Sequence, residues 1–359
     1  MLWLSWRLIR WQVVAVGAAV IALAIALAIT GPNLVHLYDT EVAGCNASFN
    51  GCFSATEALR HADRVLQLVS PLMLFVPALL GIFWGAPLVA REFENGTHKL
   101  AWTQSGTRRH WMLSKVCLYG LATMVTAGLL SLMVTWWSSP LDRVMHTPFA
   151  PSFFDRRDLV PVGYAVFAFA LGVTFGVLIR RTLPAMVATL LAFVAGRLAV
   201  FEWIRPHLMS PLTATVSLNP NGGPPDHVPS GSWVLSADTI NAAGRVIGQN
   251  GGIGPNGSLD LHLTNTNTLV IDGVGSCGHV SGVNVGTPGG GQALSQAAQA
   301  CVNRLGIREV VTYQPLSRYW PFQWMETGIF VILALALVAF SVWFVRRRLS
   351  GQAALRREG

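Results

Sequence analysis

The chain has 359 residues, of which 52% are hydrophobic and only 12% are charged, and its formal net charge is +8 at pH 7. Average soluble domains carry about 25% charged residues, so this composition excludes an ordinary soluble protein and predicts an integral membrane protein. A basic soluble chain would suggest nucleic-acid binding. In a membrane protein, the position of the basic residues explains them better.

Six apolar segments are long enough for a transmembrane helix, which needs about 20 mostly apolar residues. They are residues 12–30, 66–90, 116–137, 159–179, 183–204 and 321–345. The first could also be the apolar core of a secretory signal, but it is long for that role and a poor cleavage site, Ile29-Thr30-Gly31-Pro32-Asn33, follows it. We therefore predict a membrane all-α protein, a bundle of six transmembrane helices with spans one to five in residues 12–204.

The lysines and arginines predict how the spans are oriented. Both termini and the segments 91–115 and 180–182 are strongly basic, whereas the segments 31–65 and 138–158 carry more acidic residues than arginines. Short basic loops face the cytoplasm, so we predict that both termini lie there. Residues 1–11 combine apolar side chains with two arginines and are predicted to form an interfacial amphipathic helix.

Residues 205–318 form the one sizeable polar region, which is predicted to be extracellular. Its first half is rich in Gly, Pro, Asn and Ser and indicates turns and loops. Leu259 to Leu263 alternates like a strand and could pair with 268–271, Gly291 to Leu305 is a predicted helix, and Ile307 to Tyr313 is a predicted returning strand. We predict a small α/β insertion, followed in residues 319–359 by span six and a basic cytoplasmic tail.

The cysteines support this orientation. Cys45, Cys52, Cys277 and Cys301 all lie in segments that are predicted to be outside the cytoplasm, where disulfides persist. The natural local pairs are Cys45–Cys52 and Cys277–Cys301, although four cysteines allow three connectivities and could also remain free. The second pair would tie the α/β insertion together.

The sequence carries no phosphate-binding loop of the form Gly-x-x-x-x-Gly-Lys-Ser/Thr, and no Cys-x-x-Cys or His-Glu-x-x-His metal pattern. We therefore predict no catalytic residues, no metal site and no cofactor in this chain. The chain is predicted not to be an enzyme by itself.

Ionisable residues near the ends of spans five and six are candidates for function, because charges in a membrane are costly and often functional. They are Arg197, Glu202 and Glu326. Arg197 and Glu202 lie about 140° apart around a helix, so they are poor mutual partners. Glu202 faces Arg205 more closely, and Glu326 could pair with Arg197. These residues could snorkel or pair structurally, or they could line a substrate pathway or a subunit interface.

The loop between spans two and three carries a recognisable motif. Residues 85–97 read Gly-Ala-Pro-Leu-Val-Ala-Arg-Glu-Phe-Glu-Asn-Gly-Thr, and they are followed by Ala101-Trp102-Thr103-Gln104-Ser105 and by Arg108-Arg109-His110-Trp111. This pattern resembles the inner loop of ABC exporter permeases, and most closely that of actinobacterial permeases. The six-span plan agrees with the resemblance, although the insertion at 205–318 is larger than is usual in that family.

The resemblance implies that residues 91–115 form a coupling helix that contacts a separate ATPase subunit. Ion pairs across the interface are expected from Arg91, Glu92 and Glu94, and buried anchors from Trp102 and Trp111. The predicted ATPase-coupling residues are Arg91, Glu92, Glu94, Thr97, Lys99, Trp102, Arg108, Arg109 and Trp111. The alternative is an ordinary basic turn that satisfies the positive-inside rule.

These features together lead to the expectation of a permease subunit of an ATP-driven exporter in a bacterial inner membrane. ATP and Mg²⁺ would be bound by the partner ATPases, and the permease would act as a homodimer or with a paralogue. The expected substrate is an amphipathic drug, antibiotic, lipid or peptide. One alternative is a membrane sensor with a ligand-binding ectodomain. Another is a secondary transporter, for which Glu202 and Glu326 are the only acidic candidates, both near outer span ends.

Overall fold

The computed structural model describes residues 14, 17–18, 20–29, 31–32, 36, 74–96, 108–145, 149, 151–218, 228–229, 231–249, 261–263, 268–271, 275–279 and 290–355. Several predictions fall outside these residues. They concern the interfacial helix 1–11, Cys45, Cys52, Thr97, Lys99 and Trp102.

The chain divides into two compact units. The membrane unit comprises Met1–Met145, Ala150–Leu208 and Trp320–Gly359, and the insertion unit comprises His146–Phe149 and Met209–Tyr319. The described helices, in chain order, are α1 (Val20–Ile29), α2 (Leu74–Glu94), α3 (Arg108–Met145), α4 (Pro151–Phe154), α5 (Val160–Ile179), α6 (Thr182–Ala199), α7 (Gly290–Arg304) and α8 (Tyr319–Leu355).

Five helices among the described residues, α2, α3, α5, α6 and α8, are long and apolar enough to cross a membrane. They coincide with predicted spans two to six and confirm the membrane all-α class. The predicted first span overlaps α1, which is shorter in the described part of the chain, so the sixth crossing stays a prediction. A π-helical turn occurs within α2, at Gly81–Gly85. A second one, at Val200–Ile204, directly follows α6 and continues it toward His207, and this continuation is called the extension of α6.

Helix α5 is the central element of the membrane unit. It packs against α2, α3 and α6, and it is the most thoroughly buried of the apolar helices. Its residues are apolar on all sides, including Tyr164, Phe169 and Val173, each at most 2% exposed. A helix that is apolar all round is stable only when other elements, or lipid, surround it.

The contact between α5 and α2 is made by backbone against backbone. A Cβ atom at Gly172 would lie 2.4 Å from the carbonyl oxygen of Gly81, and one at Gly81 would lie 2.5 Å from that of Ala168. At Gly176, a Cβ atom would lie 2.8 Å from the Ala86 carbonyl oxygen. Small residues allow helices in membranes to approach this closely. Gly172 and Gly176, four residues apart on α5, therefore serve packing within the chain.

A tight turn joins α5 to α6. Arg180 adopts a left-handed conformation, with φ 60°, and its backbone N–H donates to the carbonyl oxygen of Gly176. Helix α6 then begins at Thr182. Because the connection is only two residues long, α5 and α6 are fixed as an antiparallel pair, which agrees with the short basic loop at 180–182 in the sequence.

The insertion unit contains two antiparallel sheets and α7. Its strands are β1 (Leu212–Ser217), β2 (Trp233–Ile240), β3 (Val246–Gln249), β4 (Leu261–Leu263), β5 (Thr268–Ile271), β6 (Gly275–His279) and β7 (Arg308–Gln314). The strand orders are β1-β7-β2-β3 and β4-β5-β6. The predicted β4–β5 pair, α7 and β7 are confirmed. β1, β2, β3 and β6 were not predicted.

The core of the larger sheet is formed by Val216, Ala237 and Val311. On α7, the predicted apolar face supplies the buried residues Ala298 and Cys301. The disulfide between Cys301 and Cys277 stays a prediction. Cys117 of α3 is a free, exposed thiol.

Glu309 of β7 is a buried carboxyl, and it predicts a pH dependence of the insertion unit. It is 5% exposed and lies opposite Val216 of β1 and Thr239 of β2. Burial raises the pKa of Glu309 from its ordinary value of 4.5. Below pH 4.5 the carboxyl is protonated in both the folded and the unfolded chain. As the pH rises, the unfolded chain ionises first, so the insertion unit loses stability until the folded carboxyl ionises too.

The variant Glu309→Gln stays neutral at every pH, so it is expected to remove this loss. Hydrogen exchange of the β7 amides in the full chain, corrected for the intrinsic pH dependence of exchange, measures the effect. The wild type should lose protection from about pH 4.5 upward, and Glu309→Gln should hold it. Equal pH profiles for the two proteins would contradict the assignment.

Candidate functional site

The basic end of the membrane unit brings the last turn of α2 together with the first turns of α3 and α6. Glu92 forms an ion pair with Lys115 of α3. Glu94 Oε2 accepts hydrogen bonds from the backbone N–H of Thr182, at 3.1 Å, and from its hydroxyl, at 2.6 Å. The two carboxylates therefore connect the start of the 91–115 loop to two other membrane helices.

The Glu94 contact is a helix cap supplied from another helix. The first backbone N–H groups of a helix have no partner within it, and a negative charge at a helix N-terminus is favourable. Arg181, the residue before α6, makes no side-chain capping hydrogen bond of its own. Glu94 performs this function from the end of α2, so the position of α2 and the start of α6 are linked.

The structure places the predicted coupling residues in different environments. Arg91 is exposed on the last turn of α2. Glu92 and Glu94 are engaged within the chain, as described above. Trp111 is 3% exposed and belongs to the apolar core of its own chain, where Lys115 Nζ lies 4.7 Å from its ring centre. Arg108 begins α3, with Arg109 beside it.

A buried ionic cluster occupies the opposite end of α5, which is 20 residues, about 30 Å, long. At its centre is Arg205, which is 1% exposed. Its Nε and Nη2 atoms each donate to the Glu326 carboxylate at 2.7 Å, and Nη2 also donates to Asp155. The guanidinium lies 4.5 Å from the Phe154 ring centre and 5.1 Å from that of Phe201.

Two further residues complete this cluster. Arg197 Nη2 donates to Asp155 Oδ2 at 2.6 Å, so Asp155 bridges the two arginines. The Tyr164 hydroxyl donates to Glu326 Oε1 at 2.6 Å, and its ring lies 5.3 Å from the guanidinium carbon of Arg197. Asp155 precedes α5, and Tyr164 lies on α5. Arg197 lies on α6, Arg205 lies on the extension of α6, and Glu326 lies on α8. The cluster thus joins four segments of the membrane unit.

The π-helical turn Val200–Ile204 explains why both arginines reach Asp155. In a regular α-helix, residues eight apart are rotated by about 80° relative to one another. A π-helical turn contains an additional residue, so that eight residues complete about two full turns. Arg197 and Arg205 therefore share one side of the extended helix.

A neighbouring glutamine fixes the segment that carries Asp155. Gln323 is fully buried. Its Oε1 accepts from the backbone N–H groups of Leu159 and Val160, and its Nε2 donates to the carbonyl oxygen of Phe154. Gln323 thus caps the N-terminus of α5 from α8, one helical turn before Glu326.

The sequence-based predictions for this region are partly corrected. Arg197 and Glu326 both belong to the cluster, but they do not pair with each other: Asp155 is the partner of Arg197, and Arg205 is the partner of Glu326. Glu202 is exposed and is not the partner of Arg205. The reason is the π-helical turn, which rotates Glu202 away from the bundle.

Arg156 adds a third arginine beside the cluster, just before α5. Burial lowers the pKa of Arg156, the positive charge of Arg197 lowers it further, and the negative charge of Asp155 raises it. Arg157 is separate, because it pairs with Asp158, with 3.8 Å between Nε and Oδ2. Within the described part of the chain, no group of three or more His, Cys, Asp or Glu residues could hold a metal ion.

Comparison with known proteins identifies the family. The family model described as ABC-2 membrane transporter related matches residues 17–205, which is just over half of the chain and extends from the first apolar segment to Arg205. No curated protein and no solved structure matches the chain. The chain therefore belongs to the ABC-2 membrane transporter related family and is a multi-pass membrane subunit of the ABC transporter class.

Proposed function

We propose that this chain is the permease subunit of an ATP-driven exporter. Separate ATPase subunits move it through residues 91–115, and an amphipathic substrate leaves on the far side of the membrane. Family membership supports a permease that works with ATPase subunits. The observation that carries the coupling is the double attachment of the α2 end, Glu92 to Lys115 and Glu94 to Thr182.

This attachment supplies a route for mechanical force. A displacement of the loop after Asn95 moves the end of α2, and the Glu94 cap transmits that movement to α6. The Glu92–Lys115 pair transmits it to α3. Because only two residues separate α5 from α6, and because α5 is packed backbone to backbone on α2, the helices move as a connected group. Packed helices of this kind rotate and shear as bodies.

The orientation in this proposal follows the distribution of charge. The basic end of the membrane unit, with Lys115, Arg180 and Arg181, faces the cytoplasm, where the ATPase subunits are. Both termini lie on that side, and residues 205–318 are extracellular. Two copies of the chain, or one copy with a paralogue, bind two ATPase chains. The membrane is a bacterial inner membrane.

Co-purification tests the partner. The tagged chain, extracted from the membranes of its own host in mild detergent, is expected to retain a soluble subunit that carries a phosphate-binding loop and hydrolyses ATP. Mass spectrometry of the purified complex identifies that subunit. If a kinase or a transcription regulator copurifies instead, the alternative of a membrane sensor replaces this proposal. Efflux in proteoliposomes that contain this chain alone would also exclude ATP coupling.

Two substitutions test the route through α6. Glu94→Ala removes both hydrogen bonds to Thr182 and so leaves the first turn of α6 without this cap. We expect a several-fold reduction of ATP-driven movement at α6, with normal membrane insertion and normal retention of the ATPase. The readout is the ATP-dependent change in fluorescence of a probe on a cysteine introduced at Leu191, an exposed position of α6, in a chain whose free thiol has been removed by Cys117→Ser. Glu202→Gln, which replaces an exposed acid at the other end of α6, is the matched control.

Thr182→Val distinguishes a cap from a direct contact with the ATPase. It removes the 2.6 Å hydroxyl bond to Glu94 and leaves the backbone N–H bond. If Glu94 acts through Thr182, the double variant Glu94→Ala, Thr182→Val should move α6 as little as Glu94→Ala alone does. The effects of two substitutions on one shared contact are not additive. If Glu94 instead contacts the ATPase, the two effects add, and the ATPase is lost from the Glu94→Ala complex.

A further inference from the structure

Two arginines bind one carboxylate at the far end of the membrane unit, and a third lies near it. Arg197 and Arg205 both donate to Asp155, and Arg156 lies within electrostatic range of Asp155 and of Arg197. Glu326 is the one further carboxylate of the cluster in the described residues. Positive charge therefore exceeds negative charge around Asp155.

The hydrogen-bond donors of these arginines also exceed the acceptors. Arg205 Nη1, Arg197 Nε and Arg156 Nε are buried atoms that have no hydrogen-bond partner within the described residues. A guanidinium carries five N–H groups and no acceptor, and a buried N–H without an acceptor is unfavourable. A ligand that brings additional oxygen atoms with negative charge satisfies both the donors and the charge. A cationic group satisfies neither.

The surroundings favour an anion that carries a hydrocarbon chain. Phe154 and Phe201 flank Arg205, and the same stretch of α6 and its extension exposes the apolar side chains of Leu198 and Trp203, at 55% and 75%. Apolar side chains on a membrane helix are in contact with alkyl chains. The side chain of Arg197 is 17% exposed, compared with 2% for Arg205, so Arg197 is the group that an incoming ligand reaches first.

We propose that Arg156, Arg197 and Arg205 form a binding site for the anionic head group of a single-chain or double-chain amphiphile, with its hydrocarbon chain along the outside of α6. The head group, a phosphate, sulfate or carboxylate, accepts the spare N–H groups and shares Arg197 with Asp155. The identification of this amphiphile as the transported substrate rests on the proposed function. The binding site itself does not.

Binding is measured without the ATPase, so that failure of the coupling proposal does not affect the result. The purified full chain is placed in nanodiscs of zwitterionic phosphatidylcholine, and its thermal unfolding is followed by tryptophan fluorescence. Dodecyl phosphate is the probe, and dodecyltrimethylammonium, with the same chain and the opposite charge, is the comparison. A ligand that binds the folded state raises the unfolding temperature in proportion to its occupancy.

Dodecyl phosphate is expected to raise the unfolding temperature of the wild type, and dodecyltrimethylammonium is not. Arg197→Gln is expected to weaken the apparent affinity for dodecyl phosphate at least tenfold. Arg245→Gln, which removes an exposed arginine of the insertion unit, is the control for net charge and should match the wild type. If Arg197→Gln does not fold, Arg156→Gln serves in its place. Equal effects of the two amphiphiles, or unchanged affinity in the variant, would overturn the proposal.

A second set of nanodiscs distinguishes a resident lipid from a free amphiphile. These contain anionic phosphatidylglycerol. If a membrane lipid occupies the site, dodecyl phosphate produces no additional stabilisation there, and native mass spectrometry finds phosphatidylglycerol retained by the wild type but not by Arg197→Gln. If the site takes free amphiphiles, the stabilisation by dodecyl phosphate persists in both membranes. Both outcomes support an anionic head group. Retained lipid that is equal in the wild type and in the variant counts against it.

Discussion

Replacing Arg205 with methionine is expected to destabilise the membrane unit by about 3–5 kcal/mol, because it leaves two buried carboxylates without their shared cation. Asp155 and Glu326 are 3% and 0% exposed, so water cannot replace the guanidinium. Reversible unfolding of the purified chain in mixed micelles measures the change. Glu202→Gln, three residues away and exposed, is the control and should change the free energy of unfolding by less than about 0.5 kcal/mol.

The same experiment can show that the loss comes from unpaired charge. The double variant Arg205→Met, Glu326→Gln removes the cation together with the anion that depends on it, and it leaves Asp155 paired with Arg197. Replacing both members of a buried ion pair is much less costly than removing one, so the double variant should be more stable than Arg205→Met alone. A double variant that is less stable than the single variant would show instead that shape, and not charge, is what Arg205 provides.

Gly172→Ala is expected to destabilise the membrane unit by at least about 1–3 kcal/mol, the usual consequence of overpacking. The added methyl group would lie 2.4 Å from the Gly81 carbonyl oxygen and 2.6 Å from the Ala86 backbone nitrogen. Both neighbours are backbone atoms, so no side-chain rotation relieves the clash, and α5 must separate from α2. The same unfolding measurement in mixed micelles applies.

Gly128→Ala on α3 is the matched control. The nearest atom to its added methyl group is a side-chain carbon of Val162, at 3.9 Å, which is ordinary contact. Alanine is the better helix former by about 1 kcal/mol, so Gly128→Ala should leave the chain as stable as the wild type or more so. If both substitutions had the same effect, the close approach of α5 to α2 would not be the cause.

The spans could be predicted from sequence because a membrane requires about 20 apolar residues in each helix, whatever the partners of that helix are. The strands β4, β5 and β7 could be predicted from their alternation. β2 and β3 were not predicted because Gly- and Pro-rich runs, which indicate loops, lie on either side of them. The signal was present in the Val and Ile residues of both strands and in the turn at Gly244, where φ is 75°.

The ionic cluster could not be predicted in the same way. Arg205 lies one residue beyond the predicted end of span five, and Asp155 lies in a predicted outer loop. Their pairing, and that of Arg205 with Glu326, spans 50 and 121 positions, so no local periodicity reports it. The π-helical turn that aligns Arg197 with Arg205 has no simple sequence signature either. Similarly, the glycines of α5 permit a close approach of another helix, but nothing in the sequence identifies α2 as the partner.

The distance of 121 positions between Arg205 and Glu326 has a consequence for biosynthesis. Translation proceeds at about 5–20 residues per second, so the ribosome needs roughly 6–24 seconds to make Glu326 after it has made Arg205. During that interval Asp155 is the one acidic partner of Arg205, among the described cluster residues, that has already been synthesised. Glu326 and Gln323 come later in the chain, so this end of the bundle cannot be completed before α8 has been made.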